Sequence, residues 1–401
     1  MNILFLFIGA FKSIEQHEIY PDLVRKVASE GHHAYVLCSN ERRTGRPTEL
    51  VQQNNVSIVR VRIGNITKCN LLEKGISTLL IERQYKQAIK KYFGDVKFDM
   101  VTYATPPITL EPVVRFIKKR DGATSYLMLK DIFPQNAVDI SLLSTSGIKG
   151  LLHRFFRFKE KRLYQVSDHI GCMSPANCEY LLTHNPEIAP EKIELCPNCF
   201  EIREKILSSD EIISIRDKYG IPRDSIVLVY GGNLGKPQGI PFLIECMKRQ
   251  KHNTKVFFLI VGGGTEEKTI QDAIVSEKLV NALHISVLPT EEFECVIAAC
   301  DIGLIYLDHR FTIPNFPSRI LSYMQAKLPV IACTDVNTDV KELVLGRDFG
   351  WWCESCDGEA FDRIIAEALS SDLKQKGRNA FATLREKYSI SVAYQALIKH
   401  L

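Results

Sequence analysis

The chain of 401 residues lacks the segments that would place it in or across a membrane. No apolar run approaches the length of about 18 residues that a membrane-spanning helix needs. The N-terminal run MNILFLFIGAF has no basic residue before it, so it does not fit a signal peptide and is expected to form a buried strand. Twelve cysteines without dense spacing favour reduced thiols over a secreted disulfide framework. We expect a cytoplasmic protein, peripheral at most at the inner face of the plasma membrane.

Motifs for metal and dinucleotide binding are missing as well. There is no D-x-D triplet, which disfavours a divalent ion held by paired carboxylates. Two C-x-x-C pairs, Cys196/Cys199 and Cys353/Cys356, stand too far apart in the chain to favour a zinc site. The first predicted strand-to-helix turn, FIGAFKSIEQHE, has only Gly9, so the fingerprint of nicotinamide dehydrogenases is absent. We expect neither a metal ion nor a redox cofactor.

Strands and helices alternate along the whole chain. Apolar runs such as NILFLFIGA, KVFFLIVGGG and PVIACT alternate with helical patterns, which indicates parallel sheets covered on both faces. The pattern restarts near residues 199–222, and a chain of this length usually forms more than one core. We predict an α/β protein with two doubly wound, Rossmann-like domains, 1–200 and 201–383. A helix at 384–401 is left over after the second sheet.

Three turns in the second half have the chemistry of a phosphate site. All would lie beyond the carboxyl ends of strands, where open α/β sheets bind ligands. The first two, YGGNLGKPQG and VGGGTEE, are rich in glycine, although glycines after a strand often only permit a tight turn. The third, NFPSR, opens a helix whose free N–H groups and positive dipole end favour an anion. The candidate phosphate-binding residues are Gly231, Gly232, Gly235, Lys236, Gly263, Pro317, Ser318 and Arg319.

The first half offers less anion chemistry. Asp131, in LMLKDIFPQNAVD, follows a predicted strand, where its carboxylate would meet sugar hydroxyls or an electron-poor carbon. The alternative is an N-cap for a helix that starts at Pro134. Gly9 and His17 are candidates for contact with an acceptor, and the competing interpretation of His17 is a solvated helix face.

The stretch 148–164, IKGLLHRFFRFKEKRLY, holds six basic residues and one acidic residue. Leucine and phenylalanine interleave with these charges, as in helices that lie on anionic membranes. The alternative is a helix that packs its aromatic residues on the N-terminal domain and keeps its charges in solvent. We expect no nucleic acid partner, because no RNA- or DNA-binding signature is present.

Several segments resemble successive motifs of glycosyltransferase family 4, of the GT-B fold with two Rossmann-like domains facing a central cleft. They are GNLGKPQGIPFLIE, FFLIVGGGTEE, AACDIGLIYL and PSRILSYMQAKLPVIA. KDIFPQNAVD and GCMSPANCEYLLTHNPEI are similar to WbuB-like, fucosamine-transferase-type enzymes of bacterial cell-surface polysaccharide synthesis. The resemblance implies a retaining, metal-independent transfer of a hexosyl or N-acetylhexosaminyl group from a nucleoside diphosphate, with a UDP-sugar as expected donor. It also implies that the last helix, 384–401, crosses back to the N-terminal domain.

The chain departs from the family pattern at the donor site. The two glutamates usual there, eight residues apart, fall on about Pro314 and on Ser322, which leaves Asn315 and Ser322 as substitutes. In the first glycine turn the usual Arg and Lys fall on Asn233 and Gln238, so the nearby Lys236 would supply the charge.

The negative charge that would develop on a leaving diphosphate suggests the roles of these residues in the reaction. Lys236 and Arg319 would stabilise the leaving diphosphate, and Asp131 would orient the sugar or stabilise an oxocarbenium-like carbon. Domain closure would bring the two halves together. The acceptor is expected to be an oligosaccharide or a saccharide linked to a polyprenyl diphosphate, in capsule, O-antigen or exopolysaccharide synthesis.

Two other functions stay open on the sequence. A GT-B-type sugar-nucleotide 2-epimerase would share the sheets and phosphate turns, but it needs a general base beside the sugar, and Asp131 is the only strong candidate. A non-catalytic nucleotide-sugar-binding subunit of a glycan-assembly complex is favoured by the missing glutamates.

Overall fold

The computed structural model describes residues 1–9, 11 and 13–401, with the backbone alone at 71, 72 and 148. The chain forms two compact units, one made of Met1–Glu201 with Ile390–Leu401 and the other of Ile202–Ser389. Each unit is a parallel β-sheet with helices on its faces, so the predicted α/β class with two Rossmann-like domains is confirmed. None of the described helices is both long and apolar enough to cross a bilayer.

The first unit contains an eight-stranded sheet in the order β3-β4-β2-β1-β5-β6-β7-β8. Its strands are β1 (Asn2–Leu6), β2 (His33–Glu41), β3 (Glu49–Gln53), β4 (Val56–Ile63), β5 (Met100–Ala104), β6 (Thr124–Leu129), β7 (His169–Cys172) and β8 (Ile193–Leu195). The pairings are parallel except for β3, an edge strand antiparallel to β4. β3 was not predicted, because ELVQQ is largely polar and exposed, unlike the apolar runs of the central strands.

Helices cover both faces of this sheet. They are α1 (Ile19–Ser29), α2 (Leu71–Tyr92), α3 (Glu111–Asp121), α4 (Gln135–Asp139), α5 (Gly147–Val166), α6 (Pro175–His184) and α15 (Ile390–Ile398). Apolar residues of α1 and α15 join one core cluster, while those of α2, α3, α5 and α6 join another. α2 begins where the Asn70 side chain accepts the N–H of Glu73 (2.8 Å), which satisfies one of the free donors of its first turn.

The second unit contains a six-stranded parallel sheet in the order β11-β10-β9-β12-β13-β14. Its strands are β9 (Ile226–Gly231), β10 (Val256–Val261), β11 (Ala282–Ile285), β12 (Ile302–Tyr306), β13 (Val330–Thr334) and β14 (Gly350–Glu354). Its helices are α7 (Ser209–Tyr219), α8 (Ile240–Arg249), α9 (Glu267–Ser276), α10 (Thr290–Ala298), α11 (Arg319–Gln325), α12 (Val340–Gly346), α13 (Gly358–Ala368) and α14 (Leu373–Lys387). From β9 the chain proceeds outward through β10 and β11, and from β12 it proceeds the opposite way. The β9/β12 pair is therefore a topological switch point, where ligands bind in open α/β sheets.

The prediction of one helix over 384–401 is wrong. α14 ends at Lys387 and belongs to the second unit, where a side chain built on Gly377 would lie 1.9 Å from the Lys327 carbonyl oxygen. The helix therefore needs glycine to approach that backbone so closely. After a two-residue break, α15 packs in the first unit, where the N–H of Ile390 donates to the carbonyl of Phe200 (2.7 Å).

Candidate active site

The two glycine-rich turns of the second unit are bonded to each other. The N–H of Gly232 donates to Val261 (2.9 Å), and the N–H of Leu234 donates to Gly263 (3.0 Å). A side chain built on Gly262 would lie 1.9 Å from the Gly232 carbonyl oxygen. Gly262 is thus required by backbone packing between the turns.

Gly263 lies in a less suitable place for an anion than the sequence predicts. A methyl group built on it would lie 3.0 Å from a carboxylate oxygen of Glu267, in the first turn of α9. That carboxylate already complements the positive end of the helix and would repel a phosphate. The phosphate role predicted for Gly263 stays a prediction, and the turn that follows β9 is the better candidate.

Arg319 lies at the switch point beside the turn that follows β9. Its Nη2 donates to Gln238 Oε1 (2.6 Å), and its guanidinium lies 4.4 Å from the centre of the Tyr230 ring. A side chain built on Gly232 would come within 3.8 Å of the same guanidinium. Nη1 is buried and has no hydrogen-bond partner among the described residues. The structure therefore holds one nitrogen of the Arg319 guanidinium in place and leaves another buried without a hydrogen-bond partner among the described residues.

The helix that follows Arg319 contributes less than its sequence predicts. α11 begins at Arg319, rather than in a turn opened by Pro317, and it spans seven residues. The carbonyls of Pro317 and Ser318 already accept the N–H groups of Ile320 (3.2 Å) and Leu321 (3.1 Å). The Ser318 side chain makes no capping bond. Positive charge at this point comes chiefly from the guanidinium of Arg319 and not from the end of the helix.

Lys236 opens the short 3₁₀ turn Lys236–Gln238. Its side chain is exposed and forms no hydrogen bond or ion pair with any described residue. Asn233 is also exposed, and its backbone carbonyl accepts a hydrogen bond from the Tyr230 hydroxyl (2.9 Å). Gly231 is buried, and its N–H donates to the Tyr323 hydroxyl (2.9 Å), which fixes the end of β9. Gly235 is buried as well, so the turn presents Asn233 and Lys236 to solvent.

A polar cluster that the sequence analysis missed lies after β13. Asp335 Oδ1 accepts the N–H groups of Asn337 (2.9 Å) and Thr338 (3.2 Å), and Thr338 Oγ1 donates to the Asn315 carbonyl (2.6 Å). Asp335 Oδ2 and Asn315 Nδ2 are buried without partners among the described residues. Burial raises the pKa of Asp335 to about 6. The half-buried Ser322 carries no charge, whereas the carboxylate of Asp335 is linked to Asn315 through Thr338.

In the first unit, Asp131 follows β6 as predicted. Its Oδ1 accepts from Asn136 Nδ2 (2.7 Å), and its own N–H donates to Thr105 Oγ1 (3.2 Å). The residue at the N-cap of α4 is Pro134, with no side-chain cap, so the alternative role of Asp131 as that cap is wrong. Burial raises the pKa of Asp131 to about 6. Such a perturbed carboxyl at the end of a parallel strand is typical of functional sites.

The two residues assigned to the acceptor side have different environments. Gly9 is exposed with φ of +113°, and its N–H donates to Ser39 Oγ (2.9 Å). His17 is buried, with Nε2 3.0 Å from the Glu201 carbonyl and 3.3 Å from the Asp22 carboxylate. The alternative of a solvated helix face is therefore wrong for His17. These contacts hold the ring in place, and the predicted role of His17 in acceptor binding stays a prediction.

The thiols show no metal-binding arrangement. All twelve cysteines are unpaired. Among the described residues, no three His, Cys, Asp or Glu side chains are grouped as metal ligands. Cys196 and Cys199 are buried in the core of the first unit, while Cys353 and Cys356 lie in the second.

Comparison with known proteins identifies the domain that contains this site. Residues 211–384 match the family described as Glycosyl transferases group 1. The chain is 22% identical over 342 residues to a probable glycosyltransferase WbjE of Pseudomonas aeruginosa, with 80% of each chain covered. It is 21% identical over 282 residues to a putative colanic acid biosynthesis glycosyl transferase, WcaI, of Escherichia coli K12, covering 70% of this chain and 66% of WcaI.

Solved structures support the fold. HepE of Anabaena, in complex with UDP and glucose, superposes with a TM-score of 0.73 at 16% identity, covering 100% of this chain and 99% of HepE. The group 1 domain contains the glycine turns, Arg319 and Asp335, and the fold extends over both units. The chain is therefore a glycosyltransferase of the GT-B fold.

Proposed function

We propose that the chain transfers a hexosyl or N-acetylhexosaminyl group from a nucleoside diphosphate, with retention of configuration and without a metal ion. A UDP-sugar is the expected donor, because HepE, which shares the fold, is described with UDP and glucose bound. The acceptor is an oligosaccharide or a saccharide linked to a polyprenyl diphosphate in cell-surface polysaccharide synthesis. This proposal is supported by the relatives, one of which is named for colanic acid synthesis.

The leaving diphosphate sets the chemical demand on the site. Breaking its bond to the sugar develops negative charge on the phosphate oxygens, and preorganised cations stabilise that charge best where water is scarce. Arg319 is already held by Gln238 and Tyr230, so its free Nη1 can bind the diphosphate with little ordering cost. The exposed Lys236 provides a second cation at the same turn.

The sugar requires groups that recognise hydroxyls and stabilise a cationic carbon. We assign this role to Asp131, whose carboxylate is ionised above a pKa of about 6. We further propose that Asn315 and Asp335 replace the two glutamates usual in the family, with their buried polar atoms directed to the sugar or ribose. In a retaining reaction of this kind, the leaving phosphate oxygen takes the proton of the acceptor hydroxyl.

A lipid-linked acceptor would be anchored in a membrane, so the enzyme would have to reach it at the membrane surface. We therefore also propose that the basic stretch 148–164, which lies within α5, contacts an anionic membrane peripherally.

The observation that carries the proposal is the partly satisfied guanidinium of Arg319 at the switch point. Calorimetric titration of the protein with UDP, GDP and ADP in EDTA tests it. One nucleotide should bind, and Arg319→Ala should weaken that binding at least tenfold, or about 1.4 kcal/mol. If Arg319→Ala binds the nucleotide as tightly as the wild-type protein does, Arg319 is not part of the nucleotide-binding site.

A further inference from the structure

The first unit contains a basic groove on its helical surface. It is a cavity of about 250 Å³ over the first turns of α3, between α2 and α5. We define the basic groove by its lining residues, which are Lys86, Glu111, Pro112, Arg115, Phe116, Lys119, Lys159 and Arg162. Three helices thus contribute five cationic side chains and one carboxylate.

The charge in the basic groove is not neutralised from within. Glu111 is buried and is shared by Arg115 and Arg162, the latter at 3.3 Å. Lys119 has no acidic partner among the described residues, and Lys159 only lies over the Phe155 ring, 5.8 Å from its centre. Two lysines therefore remain available for an anion after the internal ion pairs are made.

Exposed apolar side chains continue from the basic groove along α5. Leu151, Phe155 and Phe158 are spaced four and three residues apart, and Arg162 follows four residues later, so the four share one face of the helix. With Leu152, these apolar side chains are 41–61% exposed. The buried face of α5 carries Leu163 and Tyr164 instead. The sequence alternative, in which the aromatics of this helix pack on the domain, is thus wrong for Phe155 and Phe158.

α2 repeats the pattern on the other side of the basic groove. Ile76, Leu79 and Leu80 are 47–58% exposed, and Lys86 follows Leu79 by two helical turns. In α2 the exposed apolar residues lie in the N-terminal half, and in α5 they extend from Leu151 to Phe158; in both helices a cation of the groove follows them. Both helices carry lysine and leucine on their solvent-facing side, while their buried residues join the same core cluster.

The three helices run in the same direction, because each connects parallel strands of one sheet. α2 and α5 begin 12–15 residues before their groove residues Lys86 and Lys159, whereas α3 begins within the groove. Their N-terminal halves therefore extend past the start of α3 by roughly 20 Å. Both apolar faces lie at one end of the unit, adjoining a single cationic cavity.

We propose that the basic groove binds the phosphate of an anionic lipid headgroup, while the exposed apolar faces of α2 and α5 enter the membrane interface. A soluble anion or a nucleic acid would use the cations but would leave seven large apolar side chains in water. An anionic bilayer accommodates both the cations and the apolar side chains. Basic residues are attracted to its charged surface, and leucine and phenylalanine partition into the interface below the headgroups. This inference deepens the proposed peripheral contact and rests on it, replacing one helix by a two-helix surface with a phosphate site.

Sedimentation with vesicles tests the inference on the full chain. Phosphatidylcholine vesicles in which a third of the lipid is phosphatidylglycerol should bind the protein, and pure phosphatidylcholine should bind it at least tenfold more weakly. Lys119→Glu with Lys159→Glu should weaken binding to the anionic vesicles at least tenfold. The matched control is Lys268→Glu with Lys374→Glu, two exposed lysines of the second unit, which should leave binding unchanged.

A second variant tests the apolar part. Leu151→Ser with Phe155→Ser should also lose vesicle binding, although the charge is unchanged. Equal binding by the groove variant and the wild-type protein would overturn the proposal. So would full competition by free glycerol phosphate, which would indicate a small-anion site. Affinity for UDP is measured in parallel and should not change in any of these variants, so a failed donor site and a failed membrane site are distinguishable.

Discussion

Replacement of Arg319 by alanine should reduce transfer by about 10- to 100-fold in kcat/KM. The side chain is anchored by Gln238 (2.6 Å) and stacks on Tyr230 (4.4 Å), and its buried Nη1, which has no partner among the described residues, is the group that we propose binds the donor. A hydrogen bond to a charged group contributes about 1.5–3 kcal/mol, and about 1.4 kcal/mol is a factor of ten in rate. Loss of one such hydrogen bond in the transition state therefore corresponds to a decrease in kcat/KM of about 10- to 100-fold.

Arg319→Lys separates charge from geometry. The lysine ammonium keeps the positive charge. It lacks the planar guanidinium that can donate to Gln238 and to a phosphate oxygen at the same time. Its kcat/KM should lie between those of the wild-type protein and the alanine variant. If lysine restores full activity, net charge alone explains the role of Arg319.

The assay is release of nucleoside diphosphate from the donor that binds, at saturating acceptor. Arg347→Ala is the control, because Arg347 forms an ion pair with the exposed Glu386 (2.7 Å) in the same unit. That variant should keep its turnover and lose less than about 1 kcal/mol of stability. Unchanged kcat/KM in Arg319→Ala, with unfolding in urea like that of the wild type, would refute the assignment.

Three further predictions concern single groups. Activity should fall as pH drops through about 6, where Asp131 protonates, and Asp131→Asn should be slow and keep only the part of this acid limb that is due to Asp335. The pKa of Asp131 is raised in the folded state, so stability should decrease as pH rises from 3.8 to about 6; Asp131→Asn should reduce this slope in urea titrations, leaving the part due to Asp335. Tyr323→Phe removes the acceptor of the Gly231 N–H (2.9 Å) and should cost about 1–3 kcal/mol by urea unfolding. Gly262→Ala would place a methyl group 1.9 Å from the neighbouring turn, so little soluble, folded protein should be recovered on expression.

The turns that form the candidate donor site were largely predictable from the sequence. Glycine-rich segments after apolar strands indicate strand-to-helix turns, and parallel topology places these turns at one edge of a sheet. Arg319 was found in the same way, since it follows such a strand and precedes a helical pattern. Its partners Gln238 and Tyr230 were not predicted as such, because they lie about 80 and 90 residues away in the chain and meet it only in the fold.

Other features depend on tertiary contacts that no local pattern encodes. Asp335 reads as an ordinary turn residue after β13, and only its burial reveals an unpartnered carboxylate oxygen. His17 has the spacing of a helix-flanking polar residue, yet Asp22 and the Glu201 carbonyl bury it. The break before α15 carries no proline or glycine, so the terminal segment looked like a single helix.

The most direct test of the account is turnover of the purified protein with UDP-, GDP- and ADP-sugars in EDTA. Each donor is supplied with and without a saccharide linked to a polyprenyl diphosphate. The account predicts release of one nucleoside diphosphate that depends on the acceptor and proceeds without metal. Binding of a nucleotide sugar with no turnover under any of these conditions would contradict it.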